Sequence, residues 1–227
     1  MMRKTVTCLA ALLTIGVVSA SAQPFVQAGV AYFFPETDVT PSRIIGGGVS
    51  GIEDDLGFIA QAGYKIPYNG LHLAAEFQYF ETKAEVATIS NSAASIIATG
   101  MDLGTGSYYA RSDYEFYTML GTIYYDVLDS MDTRLRMLIG GGTGLTVIIQ
   151  DTTIRGPARE VSDSTDAFLF TIQGLAGFGW AFTDNVSFDL TYRYTWMDNA
   201  NVSLFETSTP YRSTKNHSVN AALNLSL

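Results

Sequence analysis

Cysteine is nearly missing from this 227-residue chain, and its one representative, Cys8, lies close to the N-terminus. Disulfides therefore cannot staple the body of the protein, and a cysteine-based metal centre is excluded there. Histidine occurs only as His72 and His217. Charge is sparse as well, at 15% of residues, where about a quarter is usual for a soluble domain. Positive charge is the scarcer kind, with 13 Lys and Arg against 22 Asp and Glu, so nucleic acid and heparin-like polyanions make poor partners. No apolar run reaches the roughly 20 residues that a membrane-spanning helix needs. The longest, Val6 to Val18, stops well short of that.

That run follows Arg3 and Lys4 and precedes Ser19-Ala20-Ser21-Ala22, which is the layout of a cleavable secretory signal. Residues 1–22 are expected to be the signal peptide, leaving 23–227 as one β-barrel domain that starts at Gln23. Cys8 is too early for a lipidated cleavage site. Without Arg3 and Lys4, eleven basic residues face 22 acidic ones, a formal charge of −11.

What the chain does have is alternation. From Val219 to Leu227, Val219, Ala221, Leu223, Leu225 and Leu227 interleave with Asn220, Ala222, Asn224 and Ser226. Val186, Phe188, Leu190, Tyr192, Tyr194 and Trp196 likewise interleave with Ser187, Asp189, Thr191, Arg193 and Thr195. Period-two patterning of this kind gives strands with one greasy and one polar face. Eight strands are expected: Phe25 to Phe34, Asp55 to Ile66, Leu71 to Thr82, Ser112 to Val127, Thr133 to Ile149, Asp166 to Phe182, Val186 to Met197 and Asn216 to Leu227. Three gaps are tight turns, at Pro67-Tyr68-Asn69-Gly70, Leu128 to Asp132 and Thr183-Asp184-Asn185, rich in turn-forming residues. The other four, centred near Gly47, Ala94, Pro157 and Ser208, are long. An even strand number with short turns at one rim and long loops at the other describes an all-β, eight-stranded antiparallel transmembrane β-barrel. Apolar residues between Glu85 and Gly104 leave a further hairpin, and hence ten strands, as the alternative.

Facing follows from energetics. An Arg or Lys on the lipid face near the bilayer midplane costs roughly 2–4 kcal/mol, and a one-residue slip in register turns every side chain over. Glu76, Gln78, Glu115, Arg134, Arg136, Gln173, Asp189 and Arg193 are therefore assigned to the lumen as a polar network. Leu73, Ala75, Phe77 and Tyr79 are assigned outward. Gly140, Gly142, Gly144, Gly177 and Gly179 are expected inward, where a missing side chain makes room for long neighbours. Phe168, Phe170, Phe178, Trp180 and Phe182 face outward, towards both ends of one strand, like the aromatic girdles of membrane barrels.

The stretch TIQGLAGFGWAFTDNVSFDLTYRYTWM, with Ala176-Gly177, Asp184-Asn185 and Tyr192-Arg193-Tyr194-Thr195, resembles the opacity-like outer-membrane β-barrel family of porin-like surface antigens. The later strand beginning at His217, the glycine-rich LIGGGTGL from Leu138 to Leu145 and the segment Phe25 to Tyr32 are similar to other strands of that family. The resemblance implies a small barrel in the cell outer membrane, reached by export to the periplasm. It also implies a terminal assembly signal read by the barrel-assembly machinery, here Asn220, Ala222, Leu225 and Leu227. Family members usually end on an aromatic residue, whereas this chain ends on Leu227.

Three functional classes compete. An enzyme needs a base and a nucleophile within about 3 Å, and His217 and Ser218, adjacent in a strand, point to opposite faces. A small-solute porin needs an open lumen, whereas eight strands leave an interior that side chains fill. Calcium binding at Glu53-Asp54-Asp55, or at Asp163 and Asp166, lacks EF-hand spacing. Gly46-Gly47-Gly48 and Gly140-Gly141-Gly142 lack the residues of a phosphate loop. The expectation is a non-enzymatic barrel without cofactor or metal. Its partners are outer-membrane lipid, lipopolysaccharide, the barrel-assembly machinery and a host or surface ligand met through four loops. A porin and a lipid-modifying outer-membrane enzyme are the alternatives.

Overall fold

Strands form where the alternation is strict, and in the computed structural model there are ten among the described residues. The structure describes residues 22–36, 55–66, 70–89, 108–128, 134–198, 200–204, 207–211 and 214–227. The strands are β1 (Gln23–Glu36), β2 (Asp55–Ile66), β3 (Leu71–Ile89), β4 (Tyr108–Asp126), β5 (Leu135–Arg155), β6 (Glu160–Ala181), β7 (Val186–Met197), β8 (Ala200–Leu204), β9 (Thr207–Tyr211) and β10 (Thr214–Ser226). Eight of them close into an antiparallel barrel in the order β1-β10-β7-β6-β5-β4-β3-β2, and β8 pairs only with β9. The wall thus has the expected eight strands. An additional hairpin is formed by β8 and β9; of the stretch considered for a further hairpin, Glu85 to Ile89 continue β3, and the rest, to Gly104, lies outside the described residues. Residues 90–107 lie outside the described residues, as do residues 1–21 of the expected signal peptide 1–22, Gly46 to Gly48, Glu53, Asp54 and Pro67 to Asn69.

Register sets the width. Directly paired residues lead once around the wall from His217 through Tyr194, Gly174, Gly141, Ile123, Leu73, Tyr64 and Pro24, and return to β10 at Leu227, ten residues further along. With strands about 4.8 Å apart and a rise of about 3.3 Å per residue, that stagger gives a tilt of roughly 40° and a wall radius of about 8 Å. At the rim carrying both ends of the barrel, Gly70 opens β3 with φ of 62°, a left-handed conformation that glycine adopts without penalty. Its carbonyl accepts the Asp126 N–H at 2.8 Å.

The other rim differs from expectation. β5 and β6 do not stop near Ile149 and Asp166 but pair continuously to Arg155 and Glu160, and a Gly156 N–H to Arg159 carbonyl bond of 2.9 Å closes the turn. The segment around Pro157 is therefore a hairpin tip, not a long loop. β3 and β4 also outrun their expected ends, to Ile89 and Tyr108. Four adjacent strands thus project beyond the rest of the barrel, the β5–β6 hairpin by roughly 15 Å past Ile149 at this tilt.

Side-chain polarity explains both levels. Around the lower barrel the outward residues are large and apolar, with Val30, Ile139, Leu145, Phe178 and Leu223 more than half exposed. Leu71 to Tyr79 rises about 20 Å along the axis and Phe168 to Trp180 about 30 Å, matching an apolar band of about 25 Å. Tyr64, Tyr125 and Trp180 mark its lower edge, and Tyr32, Tyr79, Tyr117 and Trp196 its upper one. Tyr79 and Tyr117 are direct cross-strand partners, ring centroids 4.9 Å apart.

Past those tyrosines the pattern inverts. The outward positions become Glu81, Lys83, Glu115, Asp113, Asp151 and Asp166, while Ala84, Ala110, Tyr114, Ile148 and Ile154 point inward and are buried, interspersed with Thr82, Gln150 and Thr152. Glu115 is therefore not luminal as expected. It shares the outer face with Tyr117, whose hydroxyl donates to it at 2.7 Å. The rule that sends charges inward holds only at bilayer depth, and Glu115 lies just above it, where water solvates a carboxylate.

Candidate functional site: the lumen and its two rims

Inward positions of the lower barrel carry two ion clusters joined to a scaffold of amides and hydroxyls. In the lower one, Arg136 from β5 reaches Asp126 of β4 and Asp189 of β7, each at 3.0 Å. Gln27 of β1 donates to Asp189 at 2.9 Å. In the upper one, Arg193 of β7 pairs with Glu76 of β3 across the lumen and donates to Gln173 of β6 at 2.7 Å. Gln61 and Gln78 also donate to Glu76. Three strands, β2, β3 and β7, are thereby tied through one carboxylate, and Arg193 extends the tie to β6. The expected Glu76, Arg136, Asp189 and Arg193 are brought into the network, together with Gln78 and Gln173.

Arg134 is not. It precedes β5 and is exposed, and its carbonyl accepts the Ala181 N–H at 2.8 Å. The two-residue spacing with Arg136 invited a shared face, but the chain is not yet in a strand at Arg134. Asp126 takes the corresponding place in the network and was missed, because it lies beside a turn.

The glycines of β5 and β6 make these contacts possible. A Cβ on Gly179 would lie 2.2 Å from the Asp189 Oδ1, and one on Gly140 would lie 2.5 Å from the Tyr124 Cβ. Both are closer than atoms approach without displacement, so the missing side chains hold space that Asp189 and Tyr124 use.

Above the ions, Thr118, Thr146 and Thr171 form a hydroxyl ladder with spacings of 2.8 and 2.7 Å. Over that lies an apolar layer with no counterpart in the expectations. Phe80 stacks between Phe33 and Phe116 at centroid distances of 4.1 and 4.4 Å, among Tyr114, Ile148, Leu169 and Met197. Ion pairs thus fill the middle of the lumen and packed rings its upper end. Eight strands leave an interior that side chains can fill in this way.

The catalytic candidates do not meet. His217 is outward, hydrogen-bonded to the Tyr192 hydroxyl and edge-on to Tyr194, whereas Ser218 is inward and 2% exposed. His72 occupies the opposite end of the barrel, inside, stacked on Tyr124 at 4.5 Å. Asp163 and Asp166 both belong to β6, not to a loop base, and their odd spacing puts them on opposite faces. No group of three His, Cys, Asp or Glu fit to hold a metal occurs among the described residues.

The terminal strand is zipped on both sides. Asn220 and Ala222 face the lumen, Leu225 and Leu227 face outward, and the Leu227 N–H donates to the Pro24 carbonyl at 2.9 Å. Asn220 also donates to the Thr191 carbonyl at 3.4 Å, tying the strand to β7.

No family model and no curated protein matches this chain. Solved structures do. Neisserial surface protein A superposes with a TM-score of 0.50 over 90% of this chain and 97% of its own, at 15% identity. The outer membrane protein OprG from Pseudomonas aeruginosa gives 0.51 over 91% and 96%, at 14% identity. Identities this low speak to architecture, and here both partners are covered almost end to end. Together with the closed register and the apolar band, they establish that this chain has the fold of the eight-stranded outer-membrane β-barrels, the architecture that the opacity-like resemblance implied.

Proposed function

We propose that this protein is a non-enzymatic surface barrel of the bacterial outer membrane, exported through the periplasm, whose filled lumen makes it an anchor for the strands that project from it. The observation that carries this reading is the inversion of polarity above Tyr79 and Tyr117. A strand that turns its charges outward and its apolar residues inward is built for water and headgroups, so β3 to β6 run beyond the bilayer. Short turns of outer-membrane barrels face the periplasm, which puts the rim of Gly70 there and the β5–β6 tip outside. Lipid and lipopolysaccharide surround the band, the assembly machinery reads the terminal strand, and a surface ligand is met at the projecting strands. Rigid scaffolds commonly carry recognition in this way.

An epitope inserted between Gly156 and Arg159 tests the proposal. After fractionation places the protein in the outer membrane, antibody is expected to label intact cells. Labelling confined to permeabilised cells would reverse the orientation and remove the surface role. Mass spectrometry of lipid A from expressing and non-expressing cells is expected to show identical species; a modified species would restore the enzyme.

A further inference from the structure

His72 and Tyr124 are direct cross-strand partners on β3 and β4, both pointing into the lumen near the rim that carries Gly70. Their rings stack with an interplanar angle of 14°, and Phe25 of β1 meets both edge-on, at 5.5 and 6.2 Å. His72 is 2% and Tyr124 4% exposed. Neither imidazole nitrogen of His72 and not the Tyr124 hydroxyl has a hydrogen-bond partner among the described residues. Buried polar atoms are almost always satisfied, and leaving three unsatisfied side by side is costly. Asp126 and Asp189 lie around Arg136 in the same part of the lumen. Buried polar atoms without a protein partner, close to charged groups, are the setting in which a protein holds internal water.

We propose that His72 and Tyr124 form a hydration site, in which ordered water bridges the imidazole and the phenol and links them to the Arg136 cluster. The ligand is water and not a metal ion, because no third acidic, histidine or cysteine ligand converges on the niche among the described residues. The stacked rings of Phe33, Phe80 and Phe116 lie towards the far end of the lumen, so this water exchanges through the rim of Gly70, which is the periplasmic one if the proposed function holds, and goes no further than the Glu76 and Arg193 level. The barrel is then hydrated from one side only.

A double-mutant cycle tests this in the refolded full-length barrel, with His72→Phe and Tyr124→Phe, which keep the ring stack and remove the polar atoms. If water bridges the two groups, each single variant strands the other end of the bridge and raises the unfolding constant, by roughly five-fold. The double variant then raises it by several-fold less than the product of the singles. If the niche is dry, each substitution removes an unsatisfied group, both variants are as stable as the parent or more so, and their effects multiply. That outcome overturns the proposal. Magnetisation transfer from water to the ring protons of His72, in isotope-labelled protein, gives a second reading independent of stability. A long-lived transfer is expected, and its absence would also overturn the site.

Discussion

Replacing Arg193 with methionine removes the guanidinium that crosses the lumen to Glu76 and leaves that carboxylate, 3% exposed, facing Gln61 and Gln78. Breaking a buried ion pair from one side generally costs about 3–5 kcal/mol, because the surviving charge stays desolvated. The two glutamine amides keep part of the carboxylate satisfied, which puts the loss near the lower end, about 3 kcal/mol, or roughly 150-fold in the unfolding constant. Replacing Glu76 and Arg193 together removes both charges, and Gln61, Gln78 and Gln173 remain to pair with one another. The double variant is expected to lose only about 1 kcal/mol, so the coupling is about 2 kcal/mol or more. Urea titration of the refolded barrel in phospholipid vesicles measures this through Trp180 and Trp196, the two tryptophans of the chain, both on the outer face. A single variant as stable as the parent, or a double variant as damaged as the single, would refute the network as the element that holds the lumen together.

Other parts of the account have their own tests. Leu190→Arg, on the lipid face well inside the band, is expected to cost roughly 2–4 kcal/mol and Phe188→Arg, nearer the rim, less; Thr191→Ser, inside the lumen, is expected to change little, and equal effects at the two faces would mean that the faces are reversed. Gly179→Ala places a methyl against the Asp189 carboxylate and is expected to lose about 1–3 kcal/mol through displacement of Asp189 from Arg136, read in the same titration. Deleting Leu225 to Leu227 removes pairs to β1 and β7 and the outward apolar residues of the assembly signal, and is expected to lower the amount of heat-modifiable barrel in the outer membrane; insertion at the parent level would contradict the closure seen between Leu227 and Pro24.

The sequence was most readable where chemistry and depth agree. In β7 and β10 every outward residue is apolar or aromatic and every inward one is polar or small over most of the length, so the faces and the inward placement of Arg193 and Asp189 follow from alternation alone. The same rule fails where the strands leave the bilayer. Phe80 and Phe116 point inward, and Glu115 points outward, because above Tyr79 and Tyr117 water lies on the outside and the apolar residues need cover. Alternation continues through that boundary without a break and carries no mark of which side is lipid. The tyrosines are the available signal, and Glu81 and Asp113 two and four residues beyond them confirm it once the strands are known. The extension of β5 and β6 to Arg155 and Glu160 was hidden for a related reason, since Thr152, Ser162 and Ser164 resemble loop composition yet alternate as strand. His72 was legible only as a strand-end histidine. Its burial depends on Phe25 and Tyr124, which come from distant parts of the chain.

Planar-bilayer conductance of the refolded protein, after heat-dependent gel mobility has shown that the barrel is formed, tests the central claim most directly. The ion pairs around Glu76 and Asp189 and the stacked rings of Phe33, Phe80 and Phe116 predict a silent membrane. Stable, reproducible single-channel steps from folded protein would contradict the filled lumen and return the barrel to the class of small-solute porins.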